Sequence, residues 1–337
     1  MTAAGTAPDR PAVATPARSD VVERRQPGLG AAGLLLVAPV AWLLGFAAGP
    51  ENSLRVLGPL VAFGLPAIVM VAFWCENWPG TRLRASWSGW ADTLVIAALA
   101  VALTCLGQAI VGTLDVRAIF DPAAAGRTAT FPDTLSLAGV VFVVMLQLTF
   151  ACEGWPLRGR LPPVPAGTAA LAGSWLVAVA LWAALPDLGA LPVLIGVWQV
   201  WIYVVWRGWP FSGIGRRAVR LPVANAVVLA GGVLTFALAH EAGGVGDARI
   251  TAVAGSFIAA ALLVGMLFED WLGRAATLGA ILVVGVALEL ALQAYAARAG
   301  LTLTADDWVT HASLNAIGVA VILHVAVGRR WPLTAAA

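Results

Sequence analysis

Ten apolar stretches follow one another along the chain, near residues 29–48, 54–75, 91–113, 134–152, 167–185, 188–206, 222–240, 250–268, 276–297 and 309–328. A hydrocarbon core about 30 Å thick takes about 20 helical residues to cross. Inside it every backbone amide and carbonyl must find a partner within the protein, which leaves helices as the economical solution for runs of this length. The sequence therefore predicts an all-α fold, a polytopic transmembrane helix bundle of about ten spans. The link between the fifth and sixth runs, "LPDLGALP", is bracketed by prolines and suits a tight helical hairpin.

Composition agrees. Hydrophobic residues make up 60% of the chain and charged residues 11%, against about 45–50% and about 25% in soluble domains. All 20 basic residues are arginine, so lysine chemistry such as a Schiff base or a P-loop phosphate contact is excluded. The Ala- and Arg-rich usage resembles that of a GC-rich, actinobacterial genome. Three cysteines, Cys75, Cys105 and Cys152, lie in or at the ends of apolar runs; an odd number without a large exported domain argues against a disulfide framework.

Residues 1–28 are rich in Ala, Pro, Thr and Arg and lack an apolar period, so a disordered cytoplasmic tail is expected there. The transmembrane domain then covers 29–331, and 332–337 form a C-terminal tail. Arg24-Arg25 stands before the first apolar run, but that run is long enough to span and is followed by many others, so it is read as a helix and not as a secretion signal.

Arginine placement sets the orientation. With the N-terminus inside, the cytoplasmic segments hold 15 arginines and the outer loops five: Arg55, Arg117, Arg127, Arg249 and Arg298. By the positive-inside rule both termini are cytoplasmic, in what the composition marks as a bacterial inner membrane. Acidic residues gather outside, among them Glu51, Asp115, Asp121, Asp133, Asp187, Glu241, Asp247, Asp306 and Asp307.

One signature closes every second run. "FWCENWPG" (73–80) and "FACEGWPL" (150–157) share Cys, Glu, Trp and Pro in order, as Cys75, Glu76, Trp78, Pro79 and Cys152, Glu153, Trp155, Pro156; "WRGWPF" (206–211), "FEDWLG" (268–273) and "GRRWPL" (328–333) repeat it more loosely. An indole at an interface buries its ring among acyl chains and turns its N–H to the head groups, and the proline beyond stops the helix. The spans thus read as five parallel two-helix hairpins with a structural motif at one face. Its acidic residues (Glu76, Glu153, Glu269, Asp270) are expected to pair with Arg82, Arg158 or Arg274. The cysteines and His324 make the same cluster a conceivable metal site, which is the weaker account.

Few polar groups sit within the spans, and an intramembrane ionisable residue is a functional candidate by default. Glu289 lies about 20 Å from the inner end of span nine at 1.5 Å per residue, with Gln293 one turn further out. In span ten Asp307, His311 and Asn315 recur at i, i+4 and form one stripe. His240-Glu241 ends span seven on the same side, and Gln108 lies in the outer third of span three. Together they predict an outward-opening polar funnel, and imidazole with carboxylate at His240, Glu241, Asp307 and His311 suits a transition metal. The alternative is structural: a cap from Asp307, helix-to-helix hydrogen bonds from Asn315 and Gln293, and solvated histidines.

The run Asp307, His311, His324, with spacing D-x3-H-x12-H, resembles the metal-binding pattern in the C subunit of the particulate methane and ammonia monooxygenases, which implies a copper site. On one unbroken helix, however, His311 and His324 are about 20 Å apart. Bis-His ligation of two haems is excluded, because only three histidines occur. Across most of its length the chain resembles uncharacterised actinobacterial polytopic proteins with Trp-Pro-ended hairpins, a likeness that implies no activity. No P-loop, nucleophile elbow, prenyltransferase or H-E-x-x-H motif is present, and with no soluble domain the sequence argues against ATP-driven work and nucleic-acid binding. Three readings stand: a membrane-embedded polar or metal site, a permease with Glu289 as coupling carboxylate, and a structural subunit that meets other membrane subunits as well as lipid.

Overall fold

The computed structural model describes residues 25–47, 49–112, 114–121, 130–132, 134–185, 188–301 and 304–333. Most of the tail expected at 1–28, the last residues of the C-terminal tail, and Arg127, Asp133 and Asp187 lie outside the described residues. Ten apolar helices carry the fold: α1 (Gly28–Phe46), α2 (Pro50–Trp74), α3 (Ala85–Val111), α4 (Leu135–Ala151), α5 (Pro163–Ala184), α6 (Leu191–Val205), α7 (Arg217–Ala242), α8 (Asp247–Leu267), α9 (Arg274–Arg298) and α10 (Ala305–Val327). Eight are long and apolar enough to cross a membrane, and α4 and α6 are shorter. No strand forms among the described residues. The chain is a multi-pass, all-α membrane protein.

Each expected run is helical, eight of the ten at spanning length. The widest difference is α3, which starts at Ala85 and not near 91. There Asp92, fully buried, accepts a hydrogen bond from the Gly80 amide at 2.8 Å and ties the first turns of α3 to the preceding corner.

The repeated signature has a repeated backbone. Each even-numbered helix finishes in a π-helical turn, at Met70–Trp74, Gln147–Ala151, Val200–Val205, Leu263–Leu267 and Leu323–Val327. Left-handed residues follow: Glu76 and Asn77, Glu153 and Gly154, Arg207 and Gly208, Asp270 alone, Arg329 and Arg330. The tryptophan amide then bonds back three residues, to the carbonyls of Cys75, Cys152, Trp206, Phe268 and Gly328. The Trp-Pro bonds of the first, second, third and fifth corners are cis; the fourth corner has leucine in place of proline. All five motif tryptophans (Trp78, Trp155, Trp209, Trp271, Trp331) are exposed, as interfacial indoles should be.

Helices on either side of a corner pack side by side: α2 with α3, α4 with α5, α6 with α7, α8 with α9. The fifth pair is α10 with α1, the last and first of the ten. The even helices touch in sequence, α2 to α4, α4 to α6, α6 to α8, α8 to α10, and α10 back to α2. They form an inner ring of five, and the odd helices line its outside.

Side chains bind each corner to the next. Arg158 donates to the Phe73 carbonyl and stacks over Trp74. Arg220, beyond the third corner, holds Glu153 of the second at 2.6 and 2.9 Å. Arg207 pairs with Glu269 and Asp270, Arg330 pairs with Glu269, and Asn77 donates to the Ala326 carbonyl. Glu153, Glu269 and Asp270 do pair with arginine, but with Arg207, Arg217, Arg220 and Arg330 and not with the expected Arg82, Arg158 or Arg274, while Glu76 is exposed and forms no ion pair among the described residues. The reason is geometric: these carboxylates face across to a neighbouring unit.

Outer helices dock on the ring through glycines that receive inner-helix aromatics, Gly107 against Phe63, Gly231 against Trp198 and Gly285 against Phe257. In lipid, where apolar surface alone drives no association, close backbone approach supplies the packing energy. A Cβ at Gly107 would sit 2.4 Å from the Phe63 ring, whereas one at Gly173 on α5 meets nothing within 4 Å. Gly107→Ala is expected to destabilise the detergent-purified protein by about 1–3 kcal/mol. Gly173→Ala is expected to be neutral or stabilising by up to about 1 kcal/mol; thermal unfolding of the pair checks both.

Candidate functional site

The inner ring encloses a long cavity of about 360 Å³ along its axis, at the lower end of the range for small-molecule sites. Every lining residue comes from α2, α4, α6, α8 or α10, or from the segments just before α4 and α6; no outer helix contributes. On α2 the lining runs from Leu54 to Phe73 and on α8 from Asp247 to Met266, about 28 Å of helix each at 1.5 Å per residue. Near the corners the wall is apolar: Phe73, Phe150, Val204, Met266 and Ile322. Towards the far end it gains Asp247, Thr251, Asp307, Thr310, His311 and Asn315. No arginine lines it among the described residues.

The stripe expected on span ten is therefore real, and it faces the axis. Asp307, His311 and Asn315 share the cavity wall, as their i, i+4 spacing requires. His311 is 1% exposed. Its Nε2 lies 3.0 Å from the Leu44 carbonyl, and Trp308 Nε1 donates to the Gly45 carbonyl at 3.2 Å. Both satisfy carbonyls that the last turn of α1 cannot pair internally. His311 Nδ1 is buried without a partner.

Glu289 and Gln293 belong to a different assembly, on α9 outside the ring. Glu289 is buried and accepts from Ser256 of α8 at 2.8 Å, from Gln293 at 3.2 Å, and pairs with Arg249 of α8 at 2.6 Å. Arg249 and Gln293 both reach Asp306 of α10, at 3.2 and 2.7 Å. The mid-span carboxylate is thus neutralised, and three helices are tied together by one network. Glu289 does not line the cavity and Asn315 is not among its partners, so the single funnel expected from the sequence divides into two sites.

The remaining candidates disperse. His240 Nδ1 stands 3.1 Å from Asp247, which lines the cavity, and Glu241 is exposed beside it. Gln108 is fully buried and braces the link after α3 by bonds to Thr130 and to the backbone of Asp115. Among the described residues no three His, Cys, Asp or Glu side chains come together in a group fit to hold a metal ion. α10 is unbroken, so His324 lies near the corner end, away from Asp307 and His311. At the corners Cys75 packs against Gly167 of α5, Cys152 approaches Asn225, and Glu76 is exposed; Pro79 and Pro156 follow cis bonds.

One buried polar chain escaped the sequence reading. Gln199 of α6 donates to Gln147 of α4 at 2.7 Å, and Gln147 donates to Asn225 of α7 at 2.8 Å. Each is a lone amide in an apolar run ("VVMLQLTF", "GVWQVW", "VANAVV"), and that was the available signal.

Removing Arg249 leaves Glu289 buried without its counter-charge. Arg249→Ala is expected to cost about 3 kcal/mol, and Glu289→Gln about 1 kcal/mol because an amide still meets Ser256; in the double variant the two costs should not add. Chemical unfolding in detergent measures all three. Comparison with family models, with curated proteins and with solved structures finds no match for the chain.

Proposed function

We propose that the protein binds a small amphipathic molecule in the axial cavity, with the polar part of the ligand at the Asp307, His311, Asn315 stripe and the apolar part directed towards Phe73 and Phe150. The observation that carries this reading is the one-sided distribution of polar groups along a continuous apolar cavity. Convergent polar groups at one end of an apolar pocket fix a ligand's orientation. The arginine bias supports an orientation with the corners in the cytoplasm and the polar end of the cavity towards the outer side of a bacterial cytoplasmic membrane.

A second reading, a coupled permease, is favoured by one observation. Asp306 of the Glu289 network is the immediate neighbour of Asp307 on the cavity wall, so a rearrangement of that network has a short mechanical route to the cavity.

Gly139 and Gly196 line the cavity, and a Cβ on either meets only ordinary contacts at 3.9 Å or beyond. Gly196→Phe fills the cavity without disturbing a helix interface. Mass spectrometry of small molecules extracted from protein in nanodiscs is expected to find an amphipathic species near one per chain, depleted at least tenfold in Gly196→Phe. Equal amounts in both proteins would overturn the reading. Uptake lost in Glu289→Gln with binding retained would establish the permease.

A further inference from the structure

On the reading that the axial cavity holds an amphipathic ligand, we infer that the head group of that ligand is a protonated amine, accepted by Nδ1 of His311 and by Asp307. The argument starts from the tautomer. A carbonyl only accepts, so the 3.0 Å contact between Nε2 and the Leu44 oxygen places a hydrogen on Nε2. In a neutral ring Nδ1 then carries a bare lone pair. It is buried and nothing in the protein donates to it. Buried acceptors are almost always paired, and an orphan calls for an explanation.

Nδ1 faces a glycine. A Cβ at Gly58 of α2 would stand 3.8 Å from Nδ1, and Gly58 and His311 line the same cavity. Beside the amide of Asn315, one turn along α10, the nearby wall offers acceptors. Asp307 is one turn nearer the start of α10, and Asp247 opens α8, 3.1 Å from His240. Thr310 spends its hydroxyl hydrogen on the Asp306 carbonyl at 3.0 Å and keeps a lone pair. With Asp307 and a bare imidazole nitrogen on the wall, Asp247 beside His240 and no arginine in the lining, an anionic head group is repelled. A group with several N–H donors and a positive charge satisfies the wall. The apolar length beyond it fits an alkyl or aryl tail, so the ligand class is a lipophilic amine.

The experiment compares n-octylammonium, n-octanol and n-octanoate on the detergent-purified protein by the shift each produces in unfolding temperature, since a ligand that binds only the folded state stabilises it by mass action. Gly196→Phe supplies the baseline for partition into the micelle. Octylammonium is expected to stabilise above that baseline, octanol more weakly and octanoate not at all. Gly58→Ala, which preserves the bond from His311 to α1 and adds only contacts of 3.6 and 3.8 Å, is expected to weaken octylammonium at least tenfold, and Asp307→Asn likewise. If octanol or octanoate binds as well as octylammonium, or Gly58→Ala and Asp307→Asn change nothing, the head-group assignment fails while the cavity reading survives. If none of the three exceeds the Gly196→Phe baseline, both fail together.

Discussion

Backbone polar groups cannot be left open in hydrocarbon, and the way this chain closes them at the ends of its inner helices shapes everything else. A helix end leaves four carbonyls unpaired. Here the π-helical last turn and the left-handed residues beyond it curl the chain back, so that the amides of Asn77, Gly154, Gly208 and Arg330 reach carbonyls six residues earlier, at 2.8–2.9 Å. Non-glycine residues in the left-handed region are costly, yet Glu76, Asn77, Glu153, Arg207, Asp270, Arg329 and Arg330 all adopt it. The repetition of that cost at the first, second, third and fifth corners follows from the need to close the hydrogen bonds; the fourth corner, with Asp270 alone left-handed, departs from the pattern. Exits of similar shape give the four consecutive pairs similar packing. A ring with an axial cavity follows.

The spans and the repeated corner were legible in the sequence because each depends on local chemistry: run length, and Trp with Pro after an acidic or basic residue. The ring was not. In a soluble helix the apolar stripe marks the buried face, but here lipid, neighbouring helices and cavity are all apolar. Leu314, which lines the cavity, and Leu290, which faces outward, look the same in one dimension. Corner pairing across units was hidden for a related reason: Glu153 and Arg220 are 67 residues apart, and nothing local joins them.

The site was half legible. Helical spacing put Asp307, His311 and Asn315 on one face, and the cavity lies on that face. Glu289 was singled out as a costly intramembrane charge, and it is one, but its counter-charge was read as a loop residue. Arg249 sits in the first turn of α8, where only the tertiary fold turns it towards α9. The amides of Gln147, Gln199 and Asn225 were equally visible and received no role, because a lone polar residue declares a need for a partner without naming it.

Four of the five helix pairs are consecutive in the chain, and the fifth joins α1 to α10. The earliest made of these ten helices therefore has its principal neighbour in the latest. Through most of synthesis α1 waits in the bilayer with its seat untranslated, and the terminal carbonyls of Leu44 and Gly45 stay unmet until Trp308 and His311 arrive. The ring therefore closes only once α10 is in the bilayer, and a chain cut short before α10 leaves α1 without its seat.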